Sequence, residues 1–119
     1  MSEQLTADEK RTLVKAAEDI LDKVAKTKLE KSFWEQASQL RNLVQIAQQE
    51  SEVPVLKNFI HYQTGRRATK AFWRPIHESV IRELEAIESR HPEQAARKLA
   101  IQSFFGYLVR HYVYLKETH

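Results

Sequence analysis

Glycine and proline are scarce in this chain, and that scarcity limits the folds it can adopt. Only 2 glycines and 3 prolines occur among 119 residues, too few to supply the turns of a many-stranded sheet. Apolar residues instead recur every three or four positions over long segments, the spacing of amphipathic helices. We therefore predict an all-α fold, a single domain over residues 1–119 built as a compact bundle of about five helices.

Capping residues mark the expected starts of the first two helices. Thr6 and Glu9 have the spacing of a capping box, in which the hydroxyl and the carboxylate satisfy free amides, and a helix is predicted over about residues 6–26. Ser32 and Glu35 repeat this spacing. They predict that a second helix starts there and continues to about residue 50, and that residues 1–31 form an N-terminal helix and joint.

Prolines and a glycine divide the second half of the chain. Pro54 suits the first turn of a third helix, and Gly65 is placed as a left-handed stop after it. Pro75 begins or kinks a fourth helix, and Pro92 begins a fifth. Residues 68–74 are predicted to form a short helical turn.

The last helix, predicted to end near residue 115, is apolar around most of its circumference. Such a helix is usually central to a bundle or carries a second interface. Its main stripe consists of Ile101, Phe104, Phe105, Leu108, Tyr112 and Leu115.

Composition excludes several classes of site. The chain has no cysteine, so disulfides, zinc–cysteine sites and cysteine nucleophiles are excluded. The most apolar run, residues 104–115, contains Arg110 and His111 and is shorter than the roughly 20 residues that span a bilayer. Without a signal-peptide pattern at the N-terminus, these features predict a soluble cytoplasmic protein. We expect no metal and no cofactor.

Positive charge is concentrated in one part of the chain. Residues 1–55 hold 8 Lys/Arg against 10 Asp/Glu, whereas residues 56–119 hold 11 against 6. No acidic residue occurs between Val53 and His77. The cations of this segment are Lys57, Arg66, Arg67, Lys70 and Arg74. A polyanionic partner is indicated, although charge alone does not separate RNA from DNA or from an acidic protein.

Four aromatic residues are interleaved with these cations: Phe59, Tyr62, Phe72 and Trp73. Aromatic rings in a basic segment can stack on unpaired bases. Helical spacing is equally typical of core residues, and we favour core packing for the aromatic residues and a phosphate-binding role for the cations.

The histidines and glutamates form no recognisable catalytic motif. His61 and His77 are 16 positions apart, and His77-Glu78 lacks the second histidine of a helical zinc motif. Glu85 and Glu88 are expected on a solvated helix face. We predict no catalytic residue, and a small ribonuclease that uses His61 or His77 remains an alternative to be tested.

Three segments together resemble the small subunit of type III-A CRISPR effector complexes, the Csm small-subunit family. They are residues 38–44 (SQLRNLV), 60–66 (IHYQTGR) and 104–112 (FFGYLVRHY). Their order and spacing match that family over about residues 33–115. The chain departs from the family at residues 33–35, where a helix is already expected before Ser38, and at Arg110, where the family tends to be apolar or small.

This resemblance implies a non-catalytic, RNA-binding subunit of an antiviral ribonucleoprotein. Several copies would stack along the complex, beside its other subunits, and hold the backbone of target RNA that is paired to guide RNA. Guide pairing would then supply the sequence specificity. The resemblance carries over Arg41 and Arg66 as RNA-binding residues. Lys57, Arg67, Lys70 and Arg74 are added to them on charge alone. The alternative is a helical protein–protein adaptor whose basic face binds no nucleic acid.

Overall fold

Helices make up all the regular secondary structure of residues 4–27 and 31–118, the part of the chain that the computed structural model describes. They are α1 (Ala7–Ala25), a 3₁₀ helix (Lys31–Glu35), α2 (Ala37–Gln49), α3 (Val53–Gly65), α4 (Lys70–Trp73), α5 (His77–Arg90) and α6 (Gln94–Thr118). The predicted all-α bundle is confirmed, and the short α4 corresponds to the expected helical turn. Residues 28–30 of the expected joint and residues 1–3 lie outside the described residues.

The capping box predicted for α1 is half correct. Thr6 Oγ1 accepts a 3.0 Å hydrogen bond from the Glu9 amide, as expected for an N-cap. The Glu9 carboxylate was expected to bond the Thr6 amide, but it binds the guanidinium of Arg90 instead, with an oxygen–nitrogen distance of 2.8 Å. A charge-assisted bond to a guanidinium is stronger than a bond to a neutral amide.

The α-helix start predicted at Ser32 and Glu35 is wrong. These residues belong to the 3₁₀ helix, and α2 begins only at Ala37, after an N-cap residue, Gln36, that makes no side-chain capping bond. A tertiary contact takes its place, because the Gln36 amide donates to the Tyr112 hydroxyl at 3.2 Å. A tyrosine 76 positions away in sequence therefore helps to define this helix start.

The left-handed stop predicted at Gly65 is also wrong. Gly65 is the last residue of α3, and no described glycine has a positive φ. The next residue, Arg66, has extended backbone angles, and its amide donates to the Tyr62 carbonyl at 3.1 Å. The chain thus leaves α3 through Arg66 in a backbone conformation that does not require glycine.

Helix α6 lies between α1, α2 and α5 and carries much of the core. It runs antiparallel to α2, because Gln36 meets Tyr112 at one end of the pair and Arg97 meets Ser51 at the other. The stripe predicted for this helix is confirmed. Its fully buried members are Ile101, Phe104, Phe105, Leu108 and Tyr112. Leu115 packs partly buried against the same core.

Four buried aromatic residues join the 3₁₀ helix, α4 and α6. Phe33 stacks on Phe72 with a ring distance of 5.4 Å, and Tyr112 lies 5.8 Å from both rings. Trp73 meets Phe72 edge-on at 5.1 Å and donates from Nε1 to Gln39 Oε1 at 3.2 Å. Although α4 has only four residues, two of its side chains are fully buried, so its position in the bundle is fixed.

The described chain is compact and slightly elongated, with extents of 45 × 28 × 20 Å. Its radius of gyration is 13.9 Å, close to the value of about 13.5 Å expected for a domain of this length. No helix among the described residues is both long enough and apolar enough to cross a bilayer.

Candidate nucleic-acid interface

Three of the predicted RNA-binding cations lie one helical turn apart. The Lys70 amide donates to the Arg66 carbonyl, and the Arg74 amide donates to the Lys70 carbonyl, each at 2.9 Å. The i to i−4 bond between Arg74 and Lys70 places these two side chains on one side of α4, whereas Arg66, with its extended backbone, begins the turn. Arg67 is the neighbour of Arg66 on the same turn. We call Arg66, Arg67, Lys70 and Arg74 the basic ridge.

The opposite side of this turn faces the core, which directs the basic ridge outward. Thr69, Phe72, Trp73 and Ile76 are all buried. Thr69 Oγ1 also donates a 2.6 Å hydrogen bond to the Gln63 carbonyl, which attaches the turn to α3. Arg66, Arg67 and Arg74 are exposed, and Lys70 is half-buried.

The charges of the basic ridge are not neutralised by any carboxylate that the structure describes. Within residues 4–27 and 31–118, none of its four side chains forms an ion pair. Most of the ion pairs that the structure describes lie on α1, on α5 or near the two ends of α6. Four uncompensated cations on one surface attract a polyanion and release its counterions when they bind it.

Lys57 lies apart from the basic ridge. Its ammonium group is 2.9 Å from Glu85 Oε2 on α5, and the lysine side chain is only 33% exposed. The positive charge that the sequence suggested at this position is therefore already paired within the chain.

Arg41 is exposed on the outer side of α2, and it has no ion-pair partner among the described residues. It follows Gln39 by two positions, about 200° around the helix axis. Gln39 is the residue that accepts the hydrogen bond from Trp73, so the first turn of α2 contacts α4. Arg41 thus lies on the same turn of α2 as Gln39, which contacts α4. The Arg41 side chain points away from this contact between Gln39 and Trp73.

The aromatic residues of the basic segment separate into two groups. Phe72 and Trp73 have no exposed surface and Phe59 is partly buried, which confirms core packing for these three. Tyr62 is the exception, since its side chain is 63% exposed. It lies on α3 one turn before Arg66, the first residue of the basic ridge.

An open groove of about 310 Å³ lies between α2 and α3. Its lining residues are Asn42, Gln45, Ile46, Gln49 and Phe59. The first four share one side of α2, and Phe59 is the contribution of α3. The sequence did not indicate this groove, because an asparagine and two glutamines on a helix are typical of an ordinary solvated face.

The histidines singled out in the sequence are not brought into a shared site. His61 is exposed on α3, whereas His77 Nδ1 lies 3.2 Å from the Trp73 and Arg74 carbonyls. Glu85 and Glu88 are exposed, as predicted. Among the described residues, no group of three histidine or acidic side chains has a metal-binding arrangement.

A second polar cluster joins α1 and α6. His111 Nε2 lies 2.6 Å from Asp22 Oδ1, and its other ring nitrogen is 3.9 Å from Glu18. Arg110, where the chain departs from the Csm family pattern, lies over the Tyr107 ring at 5.9 Å. The His111 contacts connect residues about 90 positions apart, which is why the sequence did not reveal them.

Comparison of the chain with protein-family models, with curated proteins and with solved structures finds no match.

Proposed function

We propose that this protein is a non-catalytic RNA-binding subunit that holds the sugar-phosphate backbone of a single strand on its basic ridge. The observation that carries the proposal is that Arg66, Arg67, Lys70 and Arg74 follow one another on a turn whose other side is buried, without carboxylate partners among the described residues. Arg41, which is exposed on α2 and has no ion pair with a described residue, is included as a flanking contact. Lys57 is not included, because Glu85 neutralises it.

The chemistry of the basic ridge favours backbone binding over reading of the base sequence. Guanidinium groups form paired hydrogen bonds with phosphate oxygens, and an ammonium group acts as a point charge. Contacts of this kind position a strand but carry no sequence information. Binding is therefore expected to depend strongly on salt and only weakly on the base sequence.

The more specific part of the proposal comes from the sequence resemblance. We propose that the ribonucleoprotein is a type III-A CRISPR effector complex and that the chain is its small subunit, present in several stacked copies in the cytoplasm. In such an assembly the guide RNA supplies specificity, and this subunit supports the target RNA next to the larger subunits. The three motifs at residues 38–44, 60–66 and 104–112 support this assignment.

RNA binding is tested with two variants of equal net charge. In the first, the four residues of the basic ridge are changed to glutamine. In the second, four exposed lysines of α1, its C-cap and α6 are changed to glutamine: Lys10, Lys23, Lys26 and Lys116. None of them forms an ion pair with another described residue. Each variant loses four positive charges from a chain of net charge +3.

The measurement is the affinity for a fluorescent single-stranded RNA of mixed sequence. We expect the ridge variant to lose most of its affinity and the control variant to bind within a few-fold of the wild type. Equal losses in the two variants would contradict a specific binding face. If the wild type does not bind RNA at low salt, the alternative of a protein–protein adaptor is favoured.

The type III-A assignment requires the native complex. A tagged chain is recovered from its own source at low salt, and the co-purified proteins and RNA are identified. Repeat-derived guide RNA together with larger partner subunits is the expected result. Recovery of an acidic protein partner without RNA would contradict the proposal.

A further inference from the structure

We infer that the groove between α2 and α3 receives an unpaired nucleobase of the bound RNA, which stacks on Tyr62. This inference rests on the proposed function, since it adds a base-binding site to the backbone-binding surface. The basic ridge would hold the phosphates, and the groove would hold the base of a nucleotide at its edge.

One side of α3 connects the groove with the basic ridge. Val55, Phe59, Tyr62 and Arg66 follow one another at spacings of four, three and four residues, so they share one side of the helix. Phe59 lines the groove, and Arg66 begins the basic ridge. Tyr62 lies between them, and a strand that follows the ridge toward the groove would meet its ring.

The exposure of Tyr62 is not explained by packing within the chain. Its side chain is 63% exposed, and within residues 4–27 and 31–118 it makes neither a hydrogen bond nor a ring contact. Unpaired RNA bases commonly stack on aromatic side chains in exposed positions of this kind. Stacking of this type tolerates every base, because each base has a flat aromatic face.

The opposite wall of the groove suits the polar edge of a base. Asn42, Gln45 and Gln49 are exposed, and within the described chain their side-chain amides make no hydrogen bond to other protein groups. An amide offers both a donor and an acceptor and can pair with the edge of a base. Ile46 and Phe59 supply the apolar surface between them.

The charges around the groove favour the binding of an anionic nucleotide. Among the described residues no carboxylate lines the groove, and Arg41 is the sequence neighbour of the lining residue Asn42. The nearest carboxylates in sequence lie at the turn between α2 and α3, and both have partners. Glu50 Oε2 accepts a 3.0 Å hydrogen bond from the Glu52 amide, and Glu52 Oε1 lies 3.4 Å from Arg97 Nη2.

The test compares two strands that differ only in their bases. One is oligouridylate, and the other is an abasic ribose-phosphate strand of the same length. The full chain is used in four forms: wild type, Tyr62→Ala, Tyr62→Phe and Tyr114→Ala. Tyr114 is the matched control, since it is a tyrosine of similar exposure, 60%, on a different helix.

We expect the wild type to bind oligouridylate about tenfold more tightly than the abasic strand, which corresponds to one base on one aromatic ring. Tyr62→Ala should remove this preference without changing the affinity for the abasic strand. Tyr62→Phe and Tyr114→Ala should keep the preference. Because Tyr62 is exposed, the thermal unfolding midpoint of the Tyr62→Ala variant should stay within about 2 °C of that of the wild type.

Three outcomes would overturn the inference. Equal affinity of the wild type for the two strands would exclude a bound base and would leave the groove to another occupant, such as a peptide. An equal loss for both strands in Tyr62→Ala, or loss of the preference in Tyr114→Ala, would exclude a specific role for Tyr62. In each case sensitivity to the ridge variant would still support backbone binding, so the two proposals can fail separately.

Discussion

The ammonium group of Lys57 lies 2.9 Å from the carboxylate of Glu85, across the contact between α3 and α5. This ion pair separates Lys57 from the other cations of the acid-free segment. A paired lysine contributes little to counterion release, because its charge is already compensated before RNA binds.

We therefore predict different effects for two single substitutions. Lys57→Gln should change RNA affinity by less than about twofold, whereas Arg67→Gln should weaken it by about fivefold at 0.1 M salt, the contribution of one phosphate contact. The ion pair is partly exposed, so its loss should cost no more than about 1 kcal/mol of unfolding free energy. Equal losses of affinity in the two variants would show that the pair opens when RNA binds.

Tyr112 is predicted to make the stability of the chain depend on alkaline pH. Burial raises the pKa of Tyr112 above its ordinary value of 10.0, and the negative charge of Glu35 adds to this effect, while the hydrogen bond from the Gln36 amide opposes it. The folded chain thus keeps the phenol proton to a higher pH than the unfolded chain. This stabilisation is complete below about pH 10 and is lost as the pH rises through the folded pKa.

The measurement is urea unfolding of the wild type and Tyr112→Phe at pH 8 and pH 10.5. At pH 8 the variant should be less stable by about 1–3 kcal/mol, because the buried Phe33 carbonyl loses its 2.6 Å hydrogen bond. The difference between the two proteins should shrink at pH 10.5. A difference that does not depend on pH would contradict the assignment.

Arg97 is predicted to stabilise the turns near the N-terminal end of α6 through its hydrogen bonds to backbone carbonyls. It is only 8% exposed and donates to the Ser51 carbonyl at 2.8 Å and the Pro92 carbonyl at 2.9 Å. Arg97→Ala should cost about 3 kcal/mol, since these buried acceptors lose charge-assisted bonds. Lys98→Ala, at the neighbouring position, is the control and should cost less than about 1 kcal/mol. Similar losses at both positions would contradict the role of Arg97.

Gly106 is predicted to weaken α6 without a compensating packing role. It lies inside a 25-residue helix, and a β-carbon added there would have no neighbouring atom within 4 Å among the described residues. Gly106→Ala should therefore stabilise the chain by about 1 kcal/mol. The thermal midpoint should rise by about 4 °C. A lower midpoint would contradict this prediction.

The sequence predicted the helices well where local signals determine them. The Thr6 cap, the α6 stripe and the turn at residues 68–74 follow from spacing and capping chemistry, which act between near neighbours. Two of the errors arose where tertiary contacts dominate. The start of α2 depends on Tyr112, and Glu9 binds Arg90, 81 positions away, which no local pattern reveals.

The candidate site was predictable only in part, for the same reason. Arg66, Arg67, Lys70 and Arg74 are close in sequence, so their placement at one turn follows from the helical turn predicted for residues 68–74. The pairing of Lys57 spans 28 positions, and the groove between α2 and α3 depends on how two helices are placed. The sequence also could not show that Tyr62 alone among the four aromatic residues is largely exposed, since all four have helical spacing.

The salt dependence of RNA binding tests the central claim most directly. With the basic ridge and Arg41 bound to a single strand, the slope of log affinity against log salt should be about −3.5, a loss of roughly a hundredfold between 50 and 200 mM. The variant with all four ridge residues changed to glutamine should retain a slope of about −0.7, the contribution of Arg41. A slope near zero for the wild type, or the same slope in both proteins, would contradict the account.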